Sequence, residues 1–440
     1  MSNVHSGMDV ADYLGESGKL AWEVDDLAPG TSTRPVRSVG IIGAGTMGGG
    51  IAMNFATAGI PVIIVETKQE ALDRGFKVMR GNYQRSADKG RFPQDEVEAR
   101  MGRMTPTLKM EDLADCDLVI EAVFEDMGVK KEVFTKLDAI CKDGAILATN
   151  SSGLDIDEIA AMTKRPEDVI GLHFFSPANV MKLLEVVRAD HTADDVVATS
   201  MKVAKEINKV AVMAGVCPGF VGNRILRARQ VQANKLLYKG VMPWDIDAAI
   251  NDFGFKMGPY QMSDLAGLDI GWSKGAKTAN PIRDALCEMD RRGQKTGAGY
   301  YDYDEARNRK PSEVTEKVIR DVTGAEPSTM TKEEITETLI FSMINEAVKI
   351  LEDNKAQRPS DIDVIWINGY GWPQDKGGPM YYGDMVGPKA VLARMEKLGA
   401  EDPDFAPAET LKKLAAEGGS FVDLELGGLK TAGTEKRKAG

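Results

Sequence analysis

Short apolar runs separated by amphipathic stretches of helical period make up the pattern from residue 39 to about 190. Val39–Ile42, Val62–Val65, Asp117–Phe124, Ala145–Thr149, Val169–Leu172 and Leu183–Val187 are too short for buried helices and rich in Val and Ile, so they read as strands. Between the first two, Met47, Ile51, Phe55 and Ala58 recur near a 3.6 spacing, and Gly59 closes the segment as a helix stop. A charged amphipathic helix is predicted from about Val129 to Cys141. Alternation of strand and helix predicts a parallel sheet with helices on both faces. Past residue 220 the period turns helical, with helices expected over Ile225–Tyr238 and Ile335–Leu351. The segment Asp245–Pro259 recurs, with an insertion, as Asp361–Pro379, and Asp264 and Gly267 recur as Asp384 and Gly387. Each copy carries an apolar face too large to leave in water, so the two are expected to pack on one another.

The junction of the first strand and first helix carries chemistry. Gly43, Gly45 and Gly48 form G-x-G-x-x-G directly after an apolar strand and at the start of a helix, the context in which this motif holds a dinucleotide. Gly43 suits the tight turn, Gly45 admits the pyrophosphate to the backbone, and Gly48 lets helix and strand approach. The helix N-terminus offers free N–H groups to the phosphates. Glu66 ends the second strand, where its carboxylate suits the adenosine ribose hydroxyls and repels a 2′-phosphate, so NAD is expected rather than NADP. Glu125, Lys130 and Asn150-Ser151-Ser152-Gly153 lie at carboxyl ends of later strands, where open α/β sheets bind ligands. For Ser151 or Ser152 the competing reading is a helix N-cap before Asp155.

His173 ends one apolar run and Glu185 sits inside the next. A carboxylate within an apolar strand costs several kcal/mol unless it is paired. The histidine twelve residues earlier, across a Pro-containing turn, is its natural partner. A carboxylate beside an imidazole fixes its tautomer and raises its basicity, which suits a general base. A purely structural His–Glu hydrogen bond is the alternative. The dinucleotide motif upstream favours catalysis.

Composition narrows the class. A length of 440 residues allows two or three domains, and no run of eighteen uncharged apolar residues suggests a membrane span. The N-terminus lacks a basic-plus-apolar signal and is too acidic for a transit peptide. Cys116, Cys141, Cys217 and Cys287 have no metal-ligand spacing, fit reduced thiols in a cytoplasmic protein, and leave no metal site expected. A net charge of −12 argues against nucleic-acid binding. Lys77, Arg80, Arg85, Lys89 and Arg91 still offer a local cationic patch.

With these residues in view, the chain resembles the L-3-hydroxyacyl-CoA dehydrogenases over roughly residues 35–305. The resemblance rests on the Gly-rich turn, Glu125-x4-Lys130, Asn-Ser-Ser-Gly, His173-Phe-Phe-Ser-Pro, Cys217-Pro-Gly-Phe-Val-Gly-Asn-Arg224 and Gln294-Lys-Thr-Gly-Ala-Gly-Tyr-Tyr301. It implies a catalytic pair His173 and Glu185, with Ser152 and Asn223 on the substrate oxygen. It implies NAD contacts from Gly43, Ala44, Gly45, Thr46, Met47, Gly48, Glu66, Glu125, Lys130, Ser152 and Lys295, and a CoA-phosphate contact from Lys89. Many members have Asp at Glu66 and Asn at Ser176, and the latter departure leaves the nicotinamide-amide contact unassigned. Ser176 resembles the dehydrogenase half of the multifunctional β-oxidation enzymes.

The expected organisation is an N-terminal extension over 1–34, poorly packed, and a Rossmann-type α/β NAD-binding domain over 35–216. A mostly α-helical, internally duplicated C-terminal region follows, with a first copy over 217–310 and a second over 311–440. Only the first copy carries the Asn-Arg start, so only that copy is expected to be tied to catalysis. The expected activity is NAD-dependent oxidation of (S)-3-hydroxyacyl-CoA to 3-oxoacyl-CoA. The duplication suggests a monomer holding an internal pseudo-dimer. Thirty-four residues before the first strand cannot hold a hydratase domain, so a hydratase, like a thiolase, is expected as a separate partner chain. The nearest rival keeps the residues and reverses the direction, as a 3-hydroxybutyryl-CoA dehydrogenase working reductively. A 6-phosphogluconate-type enzyme would lack the His-Phe-Phe…Glu segment. A non-enzymatic NAD-binding protein would not need His173 or Glu185.

Overall fold

The computed structural model describes residues 7–431, and contacts divide the chain into two compact units. The first comprises Met1–Arg224, Lys349–Tyr370 and Val422–Gly440. Its centre is a sheet of β1 (Val39–Ile42), β2 (Val62–Val65), β3 (Met104–Thr107), β4 (Leu118–Glu121), β5 (Ile146–Thr149), β6 (Val169–Phe174), β7 (Leu183–Arg188) and β8 (Val210–Gly215), in the order β3-β2-β1-β4-β5-β6-β7-β8. Neighbouring strands run parallel except β6 and β7, which are antiparallel. Ile41, Ile64, Ile120, Ile51 and Phe55 are fully buried, as strands and a helix packed on both faces require. The order reverses around β1, and the crevice between the carboxyl ends of β1 and β4 is the switch point where such sheets bind ligands.

The N-terminal stretch departs from the expectation of a loose extension. Val10–Leu20 is a helix capped by the Asp9 carboxylate, which accepts from the amides of Ala11 and Asp12. Tyr13 is fully buried and donates its hydroxyl to Asp363 at 2.7 Å. The guanidinium of Arg358 donates to the carbonyls of Leu20 and Glu23. The apolar period of this helix is short, and its partner lies more than 300 residues away, so a local reading cannot find it. His5 lies outside the described residues.

That partner is the helix Pro359–Gly369, which opens the repeated Asp361–Pro379 segment, and it packs on β7 and β8. Gly369 allows the close approach, because a Cβ would lie 2.4 Å from Leu183 Cδ2 and Leu183 would have to shift. The second copy therefore does not sit wholly apart from the dehydrogenase sheet. Helix Pro359–Gly369 belongs to the sheet's own unit.

The second unit, Ile225–Val348 and Gly371–Phe421, holds the first copy and most of the second. In the first copy, Asp247 accepts from the amides of Tyr260 and Gln261 and from the Tyr301 hydroxyl. Asp264 accepts from the amides of Tyr300 and Tyr301 and from the Tyr303 hydroxyl. Asp384 repeats the Asp264 arrangement, taking the Phe421 amide and the Ser420 hydroxyl. Each repeated aspartate ties loop amides to its own helix, which explains its recurrence. The two copies meet through Phe253 and Phe255 against Trp372, with ring centroids 5.4 and 5.5 Å apart, and through Phe253 against Tyr382 at 5.0 Å. Lys332–Asp252 adds an ion pair between them.

Candidate active site

β1 runs into Gly43, whose φ of +102° and close approach to the Ala122 carbonyl (2.7 Å from a Cβ built there) exclude other residues. A Cβ on Gly48 would sit 1.9 Å from the Gly43 carbonyl, so helix Thr46–Thr57 meets the turn without a side chain between them. Gly45 is different. A Cβ there would meet nothing within 4 Å, and it borders a cavity of about 800 Å³. This open glycine lies at a helix N-terminus that no side chain caps. Backbone amides are thus left to face an anion, and the cradle fits a pyrophosphate. Glu66 lines the same cavity, its carboxylate held by the amides of Ala44 at 3.1 Å and Thr67 at 2.7 Å. A fixed anion there suits ribose hydroxyls and opposes a 2′-phosphate.

At the other end of the cavity stands His173. In the antiparallel pairing of β6 with β7 it lies directly opposite Glu185. Nδ1 is 2.6 Å from Glu185 Oε2. The other carboxylate oxygen accepts from the Gly222 amide at 2.9 Å, so Glu185, fully buried, has a partner on both oxygens. A carboxylate only accepts, so the proton belongs on Nδ1 and Nε2 keeps its lone pair. Phe175 and Phe220 pack on the imidazole, with centroids at 4.3 and 5.7 Å.

The Asn-Ser-Ser-Gly turn leaves β5 beside the histidine. Ser151 donates to Glu125 at 2.7 Å and accepts from the amides of Gly153 and Leu154, which makes it a turn residue. The N-cap of the next helix is Asp155, so neither serine serves as the cap. Ser152 lines the cavity, and its amide and hydroxyl both donate to Glu125. Partial burial disfavours the charged form of Glu125, but the hydrogen bonds from Ser151 and Ser152 and the charge of Lys130 outweigh it and hold its pKa below the usual carboxylate value. Asn223, one residue into the helix Gly222–Tyr238, donates its amide to the Ser152 carbonyl at 3.1 Å.

Three lysines stand elsewhere. Lys130 is buried, and its ammonium lies 2.8 and 2.9 Å from the two oxygens of Glu121 and 3.4 Å from Glu125. It lies beneath the cavity wall and supports Glu125. Lys89 is exposed at the C-terminal end of helix Gln69–Asp88 and does not line the cavity. Lys295 belongs to the second unit, where it pairs with Asp269. The sequence reading missed Glu121, which sits at the end of an apolar strand and also takes the Thr149 hydroxyl at 2.6 Å. An acid closing an otherwise apolar run was the available signal. Tyr370 was missed too. Its hydroxyl lies 2.8 Å from Asn223 Oδ1, and nothing local announces it. Tyr370 comes from the second copy, so a residue of that copy reaches Asn223.

The profile of the 3-hydroxyacyl-CoA dehydrogenase NAD-binding domain matches residues 38–217, and that of the 3-hydroxyacyl-CoA dehydrogenase C-terminal domain matches twice, over 219–303 and 335–421. The chain belongs to the 3-hydroxyacyl-CoA dehydrogenase family. It is similar to the peroxisomal bifunctional enzyme of Cavia porcellus, with 46% identity over 416 residues, which are 88% of this chain and 57% of that protein. The chain thus spans little more than half of that relative. The solved dehydrogenase part of multifunctional enzyme 1 from C. elegans is 31% identical, with a TM-score of 0.65 over 90% of this chain and 96% of that one. The 3-hydroxybutyryl-CoA dehydrogenase of Escherichia coli is 26% identical, with a TM-score of 0.74 over 87% and 99%. The cavity at Gly45 lies within the residues matched by the NAD-binding profile, and the twofold match of the C-terminal profile corresponds to the repeated aspartate units. Among the described residues no helix is long and apolar enough to cross a membrane, and no group of acidic, His or Cys side chains is arranged to hold a metal.

Proposed function

We propose that this chain oxidises (S)-3-hydroxyacyl-CoA esters to 3-oxoacyl-CoA esters as a β-oxidation dehydrogenase. The observation that carries the reading is the His173–Glu185 contact at 2.6 Å, at the rim of a dinucleotide cavity. His173 Nε2 takes the proton of the 3-hydroxyl, and Glu185 holds the imidazole in the tautomer that permits it. Asn223 offers the amide hydrogen not used on Ser152 to the oxygen as it becomes a carbonyl, with Ser152 beside it. When bound, NAD+ supplies a two-electron hydride acceptor. Gly43 to Gly48, with Ala44, Thr46 and Met47, hold its pyrophosphate, and Glu66 holds the adenosine ribose. Lys130 acts through Glu125, while Lys295 and Lys89 are assigned to the NAD and CoA phosphates by family resemblance alone.

The reductive direction, as a 3-hydroxybutyryl-CoA dehydrogenase, uses the same residues and is favoured by the likeness to the Escherichia coli enzyme of that name. The chain is proposed to be monomeric, with the Phe253–Trp372 contact pairing its two helical copies. Hydratase and thiolase steps fall to other domains or chains. Four buried free thiols support a reducing compartment, and the cytoplasm is proposed against the peroxisome named for the guinea-pig relative. NADH formation should be followed with (S)-3-hydroxyacyl-CoA esters of several chain lengths, with NADP+ as the control. Turnover confined to the C4 ester would favour the butyryl reading, and no turnover with any ester would overturn both.

A further inference from the structure

We propose that Tyr370, delivered by the second helical copy, is a positioning residue that orients the Asn223 amide towards the substrate oxygen. The inference rests on the role given to Asn223 above and adds the group that sets its direction. An asparagine amide has two chemically opposite ends, and rotation by half a turn would present a carbonyl where a donor is needed. Two contacts on this side chain agree. Nδ2 lies 3.1 Å from the Ser152 carbonyl, which only accepts, and Oδ1 lies 2.8 Å from the Tyr370 hydroxyl, which donates to it. With both ends engaged, the remaining N–H of the amide has a single direction.

The ring of Tyr370 is itself held. It stacks on Trp366 at 4.5 Å and meets the edge of Phe175 at 5.3 Å, and Phe175 packs on the His173 imidazole. A Cβ on Gly222 would lie 2.4 Å from the Tyr370 ring and hydroxyl, so glycine at 222 makes room for the tyrosine. The amide of that same glycine donates to Glu185. Tyr370 thus closes one packed cluster that touches the base, its carboxylate and the amide. Burial, with the nearby charge of Glu185, raises the pKa of its phenol well above the ordinary value, so the hydroxyl remains a donor across the working pH range.

Tyr370→Phe removes the hydroxyl and keeps the ring packing. It should lower kcat about tenfold, because a misplaced donor loses its advantage at the transition state, while KM for NAD+ stays within about twofold. Asn223→Ala alone should lower kcat further, and adding Tyr370→Phe to Asn223→Ala should cost nothing more. A purely structural tyrosine would reduce kcat by the same factor in both backgrounds, and that result overturns the proposal. Wild-type kcat in Tyr370→Phe, with Asn223→Ala impaired, also overturns it. Wild-type kcat in Asn223→Ala removes the role of Asn223 itself, and the positioning role falls with it.

Discussion

His173 faces Glu185 directly across the antiparallel pair β6–β7, with Nδ1 2.6 Å from Oε2. Residues paired in register on adjacent strands share one face of the sheet, so the backbone ladder itself sets the distance between imidazole and carboxylate. The second carboxylate oxygen is tied to Gly222, at the start of the helix that carries Asn223. Imidazole, carboxylate and amide are therefore fixed by two strands and one helix end rather than by mobile loops, which would suit a site that must hold its groups within a fraction of an ångström.

Replacing His173 by Gln should lower kcat by about 10²–10⁴, the range for removal of a general base, with NAD+ affinity nearly unchanged. Steady-state kinetics and fluorescence titration of NADH check this. Near-normal turnover in a folded variant would take His173 out of the role.

Glu66 should make kcat/KM for NAD+ exceed that for NADP+ by about 100-fold or more, since like charges a few ångströms apart cost several kcal/mol at a protein surface. Glu66→Ala should narrow the gap and weaken NAD+ binding, because the carboxylate also steadies the Ala44 amide in the turn. Equal preference in the unaltered protein would contradict the reading.

Burial raises the pKa of Asp247 to about 6, against the opposing effect of hydrogen bonds from Tyr260, Tyr301 and Gln261. Its folded value is above its unfolded one, so the native state binds the proton more tightly. The stability it contributes is full below pH about 4 and is lost as pH rises to about 6. Relative to Asp247→Asn, the unaltered protein should lose up to about 3 kcal/mol across that window and then stay level, by the usual conversion of pKa shift to free energy. Urea unfolding of both proteins from pH 4 to 7.5 measures it, and a constant difference would refute the assignment.

The Trp372 contacts with Phe253 and Phe255 join the two repeat copies within the second unit. Trp372→Ala should cost about 3–5 kcal/mol, as for a buried aromatic in a core. Light scattering of the intact protein should report one chain. A stable dimer that persists on dilution would show that internal pairing does not satisfy the apolar faces. Truncation near residue 310 is not a clean test, because it also removes helix Pro359–Gly369, which packs on β7 and β8.

Much of the site was legible because its signals are local. The turn at Gly43 to Gly48 is governed by backbone conformation and close approach within a few residues, so its spacing survives in the sequence. Glu185 was conspicuous as a charge within an apolar run, and the partner of such a charge had to be near. The sequence likewise determined six of the eight strands, the duplication and the cofactor class, each of which depends on periodicity or on a short motif, but not β3 or β8. Lys130, Tyr13 and Tyr370 were decided only by the tertiary structure. Lys130 was read as a ligand contact, and the structure adds its buried partner Glu121 at 2.8 Å. Tyr13 and Tyr370 act through partners hundreds and more than a hundred residues away, at Asp363 and Asn223. A hydrogen bond that short depends on where two distant backbones come to rest, and no period or spacing along the chain encodes that.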